Sequence, residues 1–248
     1  MVLAEPSFTS TNSKALLRPE SLLARRRDAG AKQAECWLTR YTGAVSIIFL
    51  NGTSSSGKTT LALALQQALR EPWQHIALDQ FRDGMPGAYR GLNAPDGSTG
   101  AAGLNVVPVD HASGRVTEIR FGAQGEAVLA GMRRAIAAFA ACGQNIIIDD
   151  LLFKPAYLED YVQVLAPFAV YFVGVRCPID VVEARESSRP GRFPGTALSH
   201  FDSVHAHGVD YDVEVDTSAL TPRAAARRIK DRLASPPTAF QQARELAR

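Results

Sequence analysis

The sequence predicts a three-layer α/β/α fold around a five-stranded, mainly parallel sheet. Three observations carry that expectation. A glycine-rich stretch, SIIFLNGTSSSGKTTLALALQQAL over residues 46–69, lies between an apolar run and a segment with apolar residues at helical spacing. From Val45 onward, strand-like and helix-like segments alternate, as βαβ units do. Two of the apolar strands, HIALD and NIIIDD, end in aspartates, and ligands of such sheets bind at the carboxyl ends of the strands.

The elements follow in order. Residues 1–43 read as an N-terminal extension, helical or partly disordered: polar FTSTNS, then KALLRPESLLARRRDAGAKQAECWL, whose Arg25-Arg26-Arg27 run suits a solvated helix face. The main domain is expected over 44–235. Its first strand is 46–51, with four consecutive apolar residues, Ile47 to Leu50, as a strand buried on both faces requires. Leu61, Ala62, Leu65, Ala68 and Leu69 mark the following helix. HIALD (75–79) is the second strand. Residues 82–118 are rich in Gly, Asn, Asp and Pro and read as a long excursion containing a hairpin; loops of that length tend to be functional. A helix is expected over 122–141, then strand NIIIDD (145–150), a helix over 155–165, and strand AVYFVGVRC (169–177). Pro178 opens a helix to Arg189, in a favoured early position. A further helix is expected over 196–206. YDVEVDTS (211–218) is the fifth strand, and Thr221 with Pro222 caps the last core helix, 221–233. SPP breaks the chain, and 236–248 reads as a short charged C-terminal tail.

Composition narrows the class. Apolar residues make up 46% of 248, enough for a sizeable core, and a net charge of +2 does not suggest a nucleic-acid partner. No run approaches the roughly 18 apolar residues of a membrane span, and the N-terminus has no apolar signal core, so a cytoplasmic protein is expected. Three cysteines (Cys36, Cys142, Cys177) without C-x-x-C spacing fit unpaired thiols in a reducing compartment.

The chemistry lies in the glycine-rich loop. Gly52, Gly57, Lys58 and Thr59 meet G-x-x-x-x-G-K-[ST], and the strand and helix around it are the context the pattern needs. Glycines let the backbone approach phosphates, and consecutive amides form an anion-binding concavity at a helix N-terminus. Residues Gly52, Thr53, Ser54, Ser55, Ser56, Gly57, Lys58, Thr59 and Thr60 are the candidate nucleotide cradle. Lys58 would reach the β- and γ-phosphates, and Thr59 would hold Mg²⁺.

Phosphoryl transfer further needs a proton acceptor and cations. Asp79 is the candidate base, with helix capping as its alternative; Asp83 could face the same cleft. Asp149 and Asp150 end the third strand. Neighbours on a strand point to opposite faces, so one is expected near Mg²⁺, through water; Asp150 is the candidate, and it could instead orient the acceptor. Arg185, Arg189 and Arg192, in RESSRPGR, are candidates for a closing lid near 185–195, with surface ion pairs as the alternative for each. His200, His205 and His207 suit surface or acceptor-site packing better than a metal cluster. Trp73, Phe81, Tyr89, Phe153 and Tyr157 could supply an aromatic wall for the acceptor. A GTPase switch should carry N-K-x-D, which is absent, and a motor should carry a glutamate after the third strand, where this chain has Asp-Asp-Leu-Leu. A small-molecule kinase is the class left standing.

Several segments in the same order resemble the chloramphenicol phosphotransferase family, a branch of the P-loop kinases. They are IIFLNGTSSSGKT, EPW followed by LDQFRDGMP, NIIIDDLLF, YFVGVRCPIDVVEARE with R-x-x-R, and HGVDYDVEVDT. The likeness spans about residues 45 to 218. It implies ATP-dependent transfer of the γ-phosphate to a hydroxyl of a small molecule; in the namesake enzyme the acceptor is the primary hydroxyl of chloramphenicol, which inactivates the antibiotic. The family's catalytic aspartate falls on Asp79, its loop lysine and hydroxyl residue on Lys58 and Thr59, and its lid arginines on Arg185, Arg189 and Arg192. The excursion over 87–118 looks longer than the family needs and lies where the acceptor should bind. The first 43 residues have no counterpart.

Overall fold

The computed structural model describes residues 45–111, 114–191 and 193–246. The expectations for residues 1–43, and for Arg192, lie outside the described residues.

Five strands form the expected sheet, and all of them are parallel: β1 (Ser46–Asn51), β2 (Trp73–Ala77), β6 (Asn145–Asp150), β7 (Ala169–Arg176) and β8 (Val213–Asp216), in the order β2-β6-β1-β7-β8. The central position of β1 explains its composition. Ile47 and Phe49 enter one core with Ile146 and Ile148 of β6, while Ile48 and Leu50 enter the other with Ile147. Alternating side chains are thus buried on both faces, and no position on the strand can be polar until its end.

Helices α1 (Lys58–Ala68) and α7 (Pro222–Arg232) cover the Ile48 face through Leu61, Leu65, Ala226 and Ile229. Thr221 caps α7 as expected, its hydroxyl accepting from Ala224 N–H, with Pro222 in the first turn. On the Phe49 face lie α4 (Ala123–Ala141), α5 (Pro155–Val164) and α8 (Ala239–Leu246). Helix α8 falls inside the stretch read as a charged tail. Gln241, Gln242 and Glu245 do face water, but Ala239, Phe240 and Ala243 are buried, and Phe240 packs edge-on against Phe49 and Phe172. This stretch belongs to the core.

The excursion after β2 is more than a hairpin. Helix α2 (Leu78–Asp83) leads to β3 (Arg90–Leu92), the short α3 (Thr99–Ala102), β4 (Leu104–His111) and β5 (Gly114–Phe121). β4 and β5 pair antiparallel and β3 adds parallel to β4, giving a second, three-stranded sheet. Asn105 ties the β3–α3 loop to it, accepting from Ala94 N–H and donating to Ala94 O. Helix α6 (Ile179–Ser187) follows β7. The helix expected over 196–206 is instead two single 3₁₀ turns, Leu198–His200 and Ser203–His205.

Truncating Phe240 to Ala should cost about 3–5 kcal/mol of unfolding free energy, the usual range for a buried aromatic. Urea unfolding followed by circular dichroism measures it, and a cost below about 1 kcal/mol would detach α8 from the core.

Candidate active site

The strand ends of the main sheet meet around the loop Gly52–Gly57. Gly52 is fixed by crowding: a Cβ there would lie 2.4 Å from the carbonyl oxygen of Val175 on β7. Gly57 has φ +95° and Ser55 has φ 61°, so the chain turns left-handed twice before α1 begins. The side-chain oxygens of Ser55 and Ser56 are buried with no hydrogen-bond partner. Lys58 is only 6% exposed, and its Nζ donates to Gly52 O (2.7 Å) and Thr53 O (2.9 Å). A concave loop with two unpaired hydroxyls, a helix N-terminus and a buried ammonium fits a phosphate chain.

Thr59 Oγ1 donates to Asp149 Oδ2 at 2.7 Å, and His75 Nε2 lies 3.5 Å from the same oxygen. Burial alone would raise the Asp149 carboxyl, but His75, the Lys58 charge and Thr59 outweigh it and hold it below the usual range. Asp150 faces the other way. Its Oδ2 accepts from the Tyr161 hydroxyl (2.6 Å) and its Oδ1 from Leu151 N–H (2.7 Å). Burial pushes it up to about 6 against those bonds and against Arg133. The expectation that put Asp150 beside Thr59 is therefore corrected. Asp149 continues the Ile147 face, which α1 covers, while Asp150 continues the Ile148 face.

Asp79 sits in the first turn of α2 rather than at the strand end, because β2 stops at Ala77. It does not cap that helix: Gln80 Oε1 accepts from Ala77 N–H, and Asp79 Oδ1 pairs with Arg82 Nη1 at 2.7 Å. Asp79 lines a cleft of ≈ 370 Å³ together with Ser54, Lys58, Thr59, Asp149 and Arg189. Asp83 pairs with Arg82 Nε and lines an adjoining cavity of ≈ 610 Å³. That cavity shares Arg82, Leu104 and Ile119 with the cleft and is walled further by Arg90, Leu92, Val106 and Phe193.

The two described lid arginines differ. Arg185 is pinned behind the loop: Nη2 donates to Thr217 O (2.8 Å), and Nη1 to Thr217 Oγ1 (3.0 Å) and Cys177 Sγ (3.3 Å). Thr217 in turn donates to Ser56 O at 2.6 Å. Arg189 is exposed and lines both the cleft and a ≈ 220 Å³ cavity beside Gly57, Thr60, Thr217 and Leu220.

Of the five aromatic candidates only Phe153 lines the cleft. Trp73 is buried under α1, and Tyr157 bonds Glu126. The histidines divide. His205 Nδ1 and His207 Nε2 both meet the Tyr211 hydroxyl, at 2.6 and 2.8 Å, and Asn51 Nδ2 donates to the same oxygen. Burial and Arg176 pull both rings down to about 4, so they are neutral and serve packing. Among the described residues no group of three His, Cys, Asp or Glu could hold a metal ion. His75, Thr217 and Glu186 escape the sequence reading, and His200 is read there only as packing; His75, Thr217 and His200 act on partners distant in the chain, while Glu186 accepts from Gly195 and Ala197 a few residues on.

Two solved structures share this architecture at low sequence identity. A sugar kinase from Janibacter sp. superposes with a TM-score of 0.52 at 19% identity, covering 79% of this chain and 98% of that one. The APS kinase CysC of Mycobacterium tuberculosis, solved with AMPPNP and APS, gives 0.53 at 16% identity, covering 77% and 99%. Fold and cradle together define the class: the chain has the P-loop α/β fold that these kinases share. Two Mycobacterium tuberculosis proteins, from strains CDC 1551 and H37Rv, carry the name "Putative O-phosphotransferase" and are each 32% identical over 192 residues, covering 75% of this chain and 80% of theirs. The model of the family described as "Chloramphenicol phosphotransferase-like protein" matches residues 45–234, and the chain belongs to that family.

Asp150 predicts a pH dependence of stability. It holds its proton more tightly folded (about 6) than at the usual 3.8. Its contribution is therefore fully present below about pH 3.8 and is lost as pH rises through 6, on the order of 3 kcal/mol in all. Wild type should lose stability relative to Asp150→Asn between about pH 4 and 6. Chemical denaturation at stepped pH reads the difference, and parallel curves would show that Asp150 stays ionised.

Proposed function

We propose that the protein is an ATP-dependent phosphotransferase acting on a hydroxyl of a small molecule, of the kind that inactivates chloramphenicol at its 3-hydroxyl. One observation carries this reading: the phosphate cradle, the Thr59–Asp149 pair and Asp79 line a single cleft. Mg²⁺-bound ATP supplies the phosphoryl group. Residues 52–60 hold its phosphates, with Lys58 turning from the loop carbonyls toward them. Thr59 and Asp149, whose side chains meet at 2.7 Å, would hold the magnesium ion, since hydroxyl and carboxylate oxygens suit that hard cation; it would neutralise charge on the phosphates. The ≈ 220 Å³ cavity beside Thr217 receives the base, with Arg185 fixing its floor. Asp79 accepts the acceptor's hydroxyl proton. Arg189, with Arg192 further along the same segment, neutralises charge on the phosphoryl oxygens.

The acceptor enters the ≈ 610 Å³ cavity, whose Leu92, Leu104, Val106, Ile119 and Phe193 suit an apolar body and whose Arg82 end carries the hydroxyl to Asp79. Chloramphenicol has such a body; another antibiotic or a cellular metabolite of that shape is the alternative acceptor. A cytoplasmic location supplies ATP and suits the buried thiol of Cys177. Neither nucleic acid nor membrane is a proposed partner; among the described residues no helix is long and apolar enough to cross a bilayer.

The test is ADP release with Mg-ATP, with and without chloramphenicol, and mass spectrometry of the drug. One phosphoryl group should be gained. Asp79→Asn should lower turnover by about two to four orders of magnitude with ATP affinity near wild type. Lys58→Ala should weaken both binding and turnover. Normal turnover by Asp79→Asn would remove it as the base, and an unmodified drug with ATP binding intact would move the acceptor to another hydroxyl compound.

A further inference from the structure

His200 is a buried titratable group that the proposed chemistry does not use. It is 4% exposed, and its Nε2 accepts from the backbone N–H of Ser54, inside the phosphate loop, at 3.1 Å. Because Nε2 accepts, the ring proton is on Nδ1, where Ser199 Oγ lies at 3.4 Å. Phe153 meets the ring edge-on at a centroid distance of 5.2 Å. Burial, with the Lys58 charge adding to it, pulls the imidazole down to about 3, so the ring remains a neutral acceptor.

The segment carrying His200 is held at several points. The buried carboxylate of Glu186 accepts from Gly195 N–H (2.9 Å) and Ala197 N–H (3.0 Å). Thr117 of β5 donates through Oγ1 to Pro194 O (2.9 Å). Thr53 Oγ1, in the phosphate loop itself, donates to Ala197 O (3.2 Å). Residues 194–200 therefore form a strap from the three-stranded sheet and α6 to the loop, and the His200 imidazole is its contact with a loop amide.

We infer that His200 is a positioning residue for nucleotide binding: its neutral imidazole fixes Ser54 N–H and so preorganises the loop amides that follow for the phosphates. The reasoning is energetic. A loop that must present several amides to an anion has to be ordered before the anion arrives, or binding itself bears the ordering cost. This inference rests on the reading of the loop as a nucleotide cradle.

The test is the dissociation constant of Mg-ATP, by calorimetry, for wild type, His200→Met and His200→Gln, with thermal unfolding in parallel. Gln presents an oxygen near the position of Nε2, whereas Met fills similar space without a strong acceptor. Met should weaken ATP affinity about tenfold, the worth of one such hydrogen bond, and Gln should recover most of it. A merely structural role would lower the unfolding temperature of both variants without separating their affinities. If Met fails to fold, His200→Ala, which leaves the acceptor's place empty, replaces it in the comparison: Gln near wild-type affinity with Ala weakened supports the role, and Gln weakened as far as Ala overturns it. Unchanged or tighter ATP binding by folded Met also overturns it, tighter binding meaning that the ring obstructs the phosphates. Wild type that does not bind ATP at all would instead remove the cradle reading on which the inference stands.

Discussion

A phosphate-binding loop imposes one constraint on the whole molecule: it must keep a bowl of backbone amides and an ammonium group ready for an anion inside a mostly dry site. Unpaired buried polar groups are costly, and a buried cation more so. The structure answers with braces on every side. Lys58 is held by the loop's own carbonyls, and Ser56 O accepts from Thr217. Thr53 and Ser54 are tied to the strap at Ala197 and His200. These braces come from β8, from the segment after α6 and from the loop's own start, so the sheet order places every one of them. With β1 at the centre, its carboxyl end has neighbours on both sides.

The same logic separates the two aspartates at the end of β6. They are adjacent in sequence, yet burial and partners push them in opposite directions. Asp149 has a cation, an imidazole and a hydroxyl beside it and is stabilised as an anion. Asp150 has a phenol and an amide in a core of aliphatic and aromatic side chains, and is held closer to neutrality. Two carboxyls with opposed environments can take different roles in one site: the first meets positive charge, and the second ties β6 to α5 through Tyr161.

The main sheet was legible because its strands are buried on both faces, which leaves apolar runs such as Ile47–Leu50 and Ile146–Ile148 with no competing reading. The cradle was legible because its spacing is itself the chemistry. What escaped depends on partners far apart in sequence. Nothing in NIIIDD says which face α1 will cover, so the choice between Asp149 and Asp150 could not be made from the strand alone. His200 lies 146 residues from Ser54, and no local pattern links them. Phe240 sits among small and polar residues, and only its fit between Phe49 and Phe172 reveals it as core. The stretch 196–206 has helix-compatible residues, but its backbone is drawn into single turns by bonds to Glu186 and the loop.

The architecture also separates what is shared by P-loop kinases from what distinguishes one from another. Everything that would meet the nucleotide comes from the carboxyl ends of the main sheet and their following loops. The walls of the larger cavity come mostly from elsewhere: Leu92, Leu104, Val106 and Ile119 belong to the inserted sheet between α2 and α4. Residues in that insert can change size and polarity without disturbing β1, the loop or Asp149, so on the proposed function acceptor preference would be free to drift while phosphate chemistry is held. The two parts meet at Arg82, Leu104 and Ile119, which line both spaces, and at the strap, which bonds Thr117 of the insert on one side and Thr53 of the loop on the other. On the proposed function, substitutions at those few contacts would have to satisfy acceptor and nucleotide together, which would make them the narrowest point through which a new acceptor specificity has to pass.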